Sequence, residues 1–329
     1  MTVANERRVL GRTGLSTSIA GLGCGGHSRL GLRQGMGHDH AVSLVRRAIE
    51  LGVNHIDTAE SYGTEEAVGE AIRSFDRDGL IISTKKSLWV KDDEPPVTAE
   101  RFVEGVEGSL KRLRLDCIDI LHIHALATDQ IDFAVAEIVP AMIRLREQGK
   151  IRFLAASEVF DRDRGHEAFA RILQDDDQPF DVMMVGFNVL NPSARERVLM
   201  RTRELGVGTQ CMFAVRAALS QTQKLTETME DLVERGVLDR SAFDDLGDPL
   251  CFVTDPAYAE PDRPAPASLT EAAYRFCAHE PGIDVVLTGT SRIDHLEQNL
   301  RAIAMPALPL AMLDRLESLF GRVDCVSGN

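Results

Sequence analysis

Four side chains of unlike chemistry stand at or just beyond the ends of apolar runs in this chain. Asp57 closes the run Val53 to Ile56, and Tyr62 follows five positions later, ahead of a helical face of Ala67, Val68, Ala71 and Ile72. The run Leu80 to Thr84 ends in Lys85 and Lys86, and Ile118 to Ile123 ends in His124. Together an acid, a phenol, an amine and an imidazole suit proton transfer. A phenol with a pKa of about 10 is a proton donor that a neighbouring ammonium makes more acidic. A carboxylate holds such an ammonium charged, and an imidazole can hydrogen-bond an oxygen on which negative charge develops. Each residue also has an ordinary explanation: a strand-end Asp as a helix cap, a Tyr as a packing residue with a wet tip, either lysine as a surface charge. His122 and His124 share strand parity, so either could be a satisfied core histidine. Metal chemistry is not expected, because the six cysteines (Cys24, Cys117, Cys211, Cys251, Cys277, Cys325) have no ligand-like spacing and suit reduced thiols in a cytosol.

Positioning these groups requires strands. Besides the three runs above, Ile151 to Ala156, Val182 to Phe187, Val207 to Met212 and Ile283 to Thr288 are compact and apolar, as strands buried on both faces should be, and Ser18 to Gly23 supplies an eighth. Helical stripes lie between them. Ala41, Leu44, Val45, Ala48 and Ile49 form one, Phe102, Val103, Val106, Leu110 and Leu113 another, and Val135, Ile138, Val139, Met142 and Leu145 a third. Parallel neighbours need crossovers, so this alternation predicts an α/β fold, a (β/α)8 TIM barrel spanning residues 1–329 as a single domain; a doubly wound open sheet is the rival. The longest irregular stretch, Gly236 to Ser268, follows the seventh strand and is expected over the C-terminal face, where barrel loops build the active end.

Gly21, Gly23 and Gly26 satisfy G-x-G-x-x-G at the end of the first strand, yet no apolar-periodic helix follows directly and Arg46 and Arg47 stand where an acidic residue is required. A flexible glycine-rich loop that lines a site is the better reading. With 329 residues, 44% of them hydrophobic, the chain can bury a large core. Its net charge of −14 argues against nucleic acid and anionic membrane surfaces as partners. No run approaches the about 20 apolar residues of a membrane span, and the polar opening lacks a leader's apolar segment, so a cytoplasmic location is expected. Nothing in the chain specifies an oligomeric state.

Taken together, several segments resemble the aldo-keto reductase superfamily over nearly the whole length. They are Leu10 to Leu15, Asp57-Thr58-Ala59 with Tyr62-Gly63, Thr84-Lys85, Leu115 to His124, Gly149 to Arg152, and Gly289 to Asn299. The resemblance implies a (β/α)8 barrel, a small-molecule carbonyl substrate, a nicotinamide cofactor, NADPH or less often NADH, and a catalytic group of Asp57, Tyr62, Lys85 and His124. Lys85 is preferred to Lys86 because it directly follows Thr84. Tyr62 would protonate the carbonyl oxygen as hydride arrives at the carbon, Lys85 would lower its pKa, and His124 would orient that oxygen.

The cofactor half departs from the family pattern. Where Ser-Asn usually holds the carboxamide, this chain has Ser157-Glu158, and Glu158 when ionised can only accept. Met184 stands where a Gln is common, and Met212 or Phe213 is the candidate to stack on the nicotinamide. Gly289, Thr290, Ser291, Arg292, His295, Gln298 and Asn299 occupy the family's position for the nucleotide phosphate and adenine, at a loop opening into a helix. Arg292 is the expected contact for a 2′-phosphate, which favours NADP over NAD. Two other readings stay open: an NAD-dependent sugar (aldose) dehydrogenase, and a nucleotide-binding regulatory barrel with little turnover.

Overall fold

A computed structural model describes residues 6–89, 97–243 and 248–329. Parts of two expectations, the polar opening and the long stretch after the seventh barrel strand, fall on residues 1–5 and 244–247 and lie outside the described residues. Ten strands are present among them: β1 (Arg7–Val9), β2 (Ser16–Ser18), β3 (Ala20–Gly23), β4 (His55–Asp57), β5 (Ile81–Ser87), β6 (Ile118–Leu126), β7 (Ile151–Glu158), β8 (Val182–Gly186), β9 (Gly208–Met212) and β10 (Val285–Thr288). The last eight close into one parallel barrel in sequence order, β10 pairing with β3. The open-sheet alternative is thereby excluded.

Pairing register gives the inner wall its gradient. Asp57 lies opposite Ser83, Lys85 opposite His122 and Ser157 opposite Met184, so side chains of one parity face inward together. At the amino ends of the strands Ile81, Ile120, Ala155, Val182 and Val285 form a small apolar cluster with Leu10 and Leu15. Those two leucines come from the β1–β2 hairpin, which plugs the floor of the barrel. Gly11 at φ 45° approaches Gly208 so closely that a Cβ would lie 2.2 Å from its backbone nitrogen. Sequence patterning does not reveal this hairpin. Above the plug the wall becomes polar: His55 is held by Thr17 Oγ1 at 3.2 Å and by Gln210 Nε2 at 2.6 Å. With one end plugged, chemistry is confined to the other.

Outside the barrel, helices cover the strands through the expected stripes. In Ala99–Leu113, residues Phe102, Val106, Leu110 and Leu113 are buried, each contributing roughly 1.5–3 kcal/mol of apolar burial. One stripe is corrected: Val135 is exposed, while Ala134 and Ile138 are buried. Pro140 has no N–H to close the helical bond to residue 136, and the turn before it, Ala134–Ile138, is π-wound, which rotates the face. The long segment follows the helix Thr222–Glu234, and its expected place over the C-terminal face is corrected. Its described residues 258–264 run as short turns beside residues 308–315, beyond the C-terminal end of the helix Ile293–Ile303, with Arg263 donating to the Leu308 carbonyl and the Leu310 N–H to Glu260. It is lashed down by fully buried Arg275, which donates to the carbonyls of Pro264, Pro306 and Ala307. Among the described residues no helix is long and apolar enough to cross a membrane.

Candidate active site

Asp57, at the end of β4, is buried and accepts from Lys85 Nζ at 2.5 Å and from Ser83 Oγ at 2.9 Å. Lys85 Nζ also donates to the Thr58 carbonyl at 2.7 Å. The opposed charges and added donors hold a buried ion pair that desolvation alone would neutralise. Burial lowers the Lys85 pKa, but Asp57 outweighs it, and the ammonium is held above its ordinary range. Asp57 is itself pushed up by burial and pulled down by Lys85 and Ser83. The donor set around Asp57 favours carboxylate with ammonium.

Tyr62 ends a short turn, Glu60–Tyr62, terminated by Gly63 in a left-handed conformation. Lys86, the neighbouring lysine, bonds Glu60 and so anchors that turn. Arg112 Nη2 reaches Glu60 at 3.6 Å from the other side. The phenol ring lies against Gly25, where a Cβ would come within 2.4 Å of it, and Lys85 Nζ sits 5.1 Å from its centroid. Its hydroxyl is 3.4 Å from His124 Nε2, the rings meeting edge to face. One oxygen can therefore be reached by both groups. Burial holds His124 neutral, with its pKa lowered to about 3. The expectation that Lys85 brings the phenol below its ordinary range is corrected: burial raises the Tyr62 pKa more than Lys85 lowers it. His122 is a fully buried core histidine.

Two connected concavities flank this group. A groove of about 1220 Å³ runs from Tyr62 past Gly23, Gly25, Gly26, Met212 and Phe213 to Gly289, Thr290, Ser291, His295, Gln298 and Asn299. A smaller cavity of about 160 Å³ is walled by Tyr62, Lys85, His124, Ser157, Glu158, Phe160, Met184, Met212 and Phe213. The glycine triplet thus contributes Gly23 and Gly26 to a groove wall, followed only by the kinked 3-10 stretch Arg29–Gln34 rather than by an α-helix. Ser157 Oγ accepts from the Ala125 N–H at 2.9 Å. Glu158 has both oxygens engaged, by His166 Nδ1 at 2.9 and 3.1 Å and by the Gly186 N–H at 2.6 Å. Gln210, which lies opposite Met184 in the pairing of β8 with β9, bonds His55 inside the barrel.

Arg292 is not among the described residues lining the groove, and its guanidinium grips Asp294 at 2.6 and 3.0 Å. Both side chains are more than half exposed, so this is a surface ion pair that a phosphate can displace. Arg301 and Arg216, which sequence reading passed over, do line the groove. Arg301 lies two and three positions beyond Asn299 and Gln298 on the same helix, which is the available signal; Arg216 carries none. The aldo/keto reductase family model matches residues 22–320. The chain belongs to the aldo/keto reductase family. Among relatives of this aldo/keto reductase, an L-galactose dehydrogenase of Arabidopsis thaliana is 26% identical over 313 residues, covering 91% of this chain and 88% of that one. An uncharacterized oxidoreductase of Bacillus subtilis is 27% identical over 308 residues, 90% of each chain. The holo form of an aldo-keto reductase from Bacillus halodurans matches the fold with a TM-score of 0.70 at 22% identity, over 96% of each chain.

Proposed function

We propose that this oxidoreductase interconverts a small-molecule aldehyde or ketone and its alcohol with a nicotinamide dinucleotide, Tyr62 donating the proton in the reducing direction. The observation that carries this is the buried Asp57–Lys85 pair beside Tyr62, whose hydroxyl lies 3.4 Å from a neutral imidazole. The groove suits a dinucleotide: it is long, glycine-walled where Gly289 faces the Gly23 carbonyl at 3.0 Å from a would-be Cβ, and amide-lined at Gln298 and Asn299. Ser157, Met212 and Phe213 would hold the nicotinamide end, and Thr290, Ser291, His295, Gln298 and Asn299 the adenosine end. When bound, the reduced nicotinamide supplies hydride to the carbonyl carbon.

The chain's own residues handle the oxygen. Neutral His124 donates a hydrogen bond to it, and Tyr62 delivers its proton as negative charge builds. Lys85 offsets the charge left on the phenolate, and Asp57 keeps Lys85 ionised and aimed. NADP(H) is the sequence expectation, with Arg292 as the contact for a 2′-phosphate, and because Arg292 also pairs with Asp294 on the surface, NAD(H) is proposed alongside it. The likeness to an L-galactose dehydrogenase favours a second reading, NAD-dependent oxidation of an aldose by the same residues in reverse.

Titration with each dinucleotide, followed by turnover on aldehydes, ketones and aldoses, tests both. Tyr62→Phe is expected to bind dinucleotide normally and lose roughly 10²-fold or more of turnover, as removal of a general acid does. Unchanged turnover would remove Tyr62 from the mechanism. Binding without turnover on any substrate class would support the regulatory alternative.

A further inference from the structure

Glu158 and His166 form an ionisable pair whose side chains are both 0% exposed, and the proton-transfer steps above do not use it. A carboxylate so buried is tolerated only when its lone pairs are bonded, and the two His166 contacts and the Gly186 N–H meet that need. His166 Nε2 is buried with no hydrogen-bond partner. A proton there would be a stranded donor, so the favoured tautomer carries it on Nδ1 and donates to Glu158. The residue also sits in a left-handed conformation, φ 60° and ψ 30°, which a non-glycine residue adopts at a penalty. Such strain is kept where surrounding contacts demand it.

What the pair holds is a stack of rings on the wall facing Tyr62. The imidazole stacks on Phe160 at 5.5 Å, and Phe160 on Phe213 at 5.9 Å, both at 24°. Phe160 lies so flat on the end of β8 that a Cβ on Gly186 would come within 2.4 Å of its ring. Phe160, Phe213 and Ser157, the residue before Glu158, all wall the smaller cavity with Tyr62 and His124. We propose that His166, acting through Glu158 and Phe160, is a positioning residue that fixes this wall and thereby the nicotinamide ring relative to Tyr62. The inference rests on the proposed reaction, since it assigns the pair a role in the same cavity.

Three variants of the full chain test it. His166→Leu removes the donor to Glu158. His166→Asn restores a donor near the Nδ1 position and tolerates the left-handed backbone. Glu158→Gln keeps an acceptor for Gly186 while weakening the tie to His166. Each is measured for thermal midpoint, dinucleotide affinity, emission of the bound reduced nicotinamide, kcat and KM. The expected result for His166→Leu is affinity within about threefold of wild type, altered nicotinamide emission, and kcat lower by tenfold or more, since misplacement by an ångström costs up to about 10²-fold. His166→Asn should recover most of the kcat and the emission. A lower thermal midpoint with wild-type kcat and emission in His166→Leu would reduce the pair to a structural role and overturn the proposal. If that variant does not fold, Glu158→Gln decides: lower kcat at preserved affinity supports it, and wild-type kcat overturns it. Failure of the wild-type chain to bind either dinucleotide overturns the proposed function and this inference with it.

Discussion

Tyr62 is pulled two ways: burial raises its pKa, Lys85 lowers it, and burial wins. His124 is displaced in the other direction, to about 3, so it is neutral throughout the working range. Reduction needs the phenol protonated, and protonation is lost only as pH rises through a value above the ordinary pKa of about 10. The kcat/KM for reduction should therefore be flat from about pH 5 to 9, with no inflection near 6.5, and fall only in strong alkali. An inflection between pH 6 and 7 in that profile would contradict the assignment of a neutral His124. The convergence of Asp57, Tyr62, Lys85 and His124 on one rim was legible because each stands at or just beyond the end of an apolar run, and strand ends in a barrel share a face. Glu158 and Arg292 were not legible as engaged groups. Their partners, His166 and Asp294, are close in sequence, yet contact depends on a left-handed residue in one case and on the first helical turn in the other.

At the scale of elements, alternation of runs and stripes was enough to foresee eight parallel strands, because period and length carry that information. The β1–β2 hairpin was missed, since strands of three residues around Gly11 give no periodic signal. Glycine placement is a similar case. Gly25 satisfied no motif, but the loop after β3 must let the Tyr62 ring pass where its Cβ would be, 2.4 Å away. Only loop and ring together reveal the constraint. Gly25→Ala should displace the phenol, lowering kcat by roughly tenfold to 10²-fold while global stability changes by less than about 1 kcal/mol. Urea unfolding and steady-state kinetics on the same preparation check this, and an unaltered kcat would mean that the Tyr62 turn yields without consequence.

Over the whole molecule, the polar layer between the apolar plug and the catalytic rim ties stability to pH. His55 and His124 are buried neutral with pKa values lowered to about 3, and His122 is lowered well below its ordinary value, in each case by desolvation first and Lys85 second. In the unfolded chain these imidazoles take up protons below about pH 6.5, whereas in the fold they do not until far lower. Stability from depressed histidines is thus fully present above 6.5 and lost as pH falls from there toward 3. By pH 5 each of His55 and His124 has withdrawn about 2 kcal/mol. Asp57 and Glu158, raised by burial, and His166, raised by Glu158 against its burial, act in the opposite sense, but between pH 6.5 and 5 the three depressed imidazoles outweigh the single raised one. The net prediction is a steady loss of unfolding free energy between pH 6.5 and 5. His55→Gln isolates one contribution: it retains a hydrogen-bonding side chain toward Thr17 and Gln210 but cannot titrate. Unfolding free energies from urea titrations across that window should fall less steeply in the variant, by up to about 1.4 kcal/mol per pH unit, the slope of one proton. Equal slopes in the two proteins would mean that His55 is already protonated, or open to water, in the folded barrel.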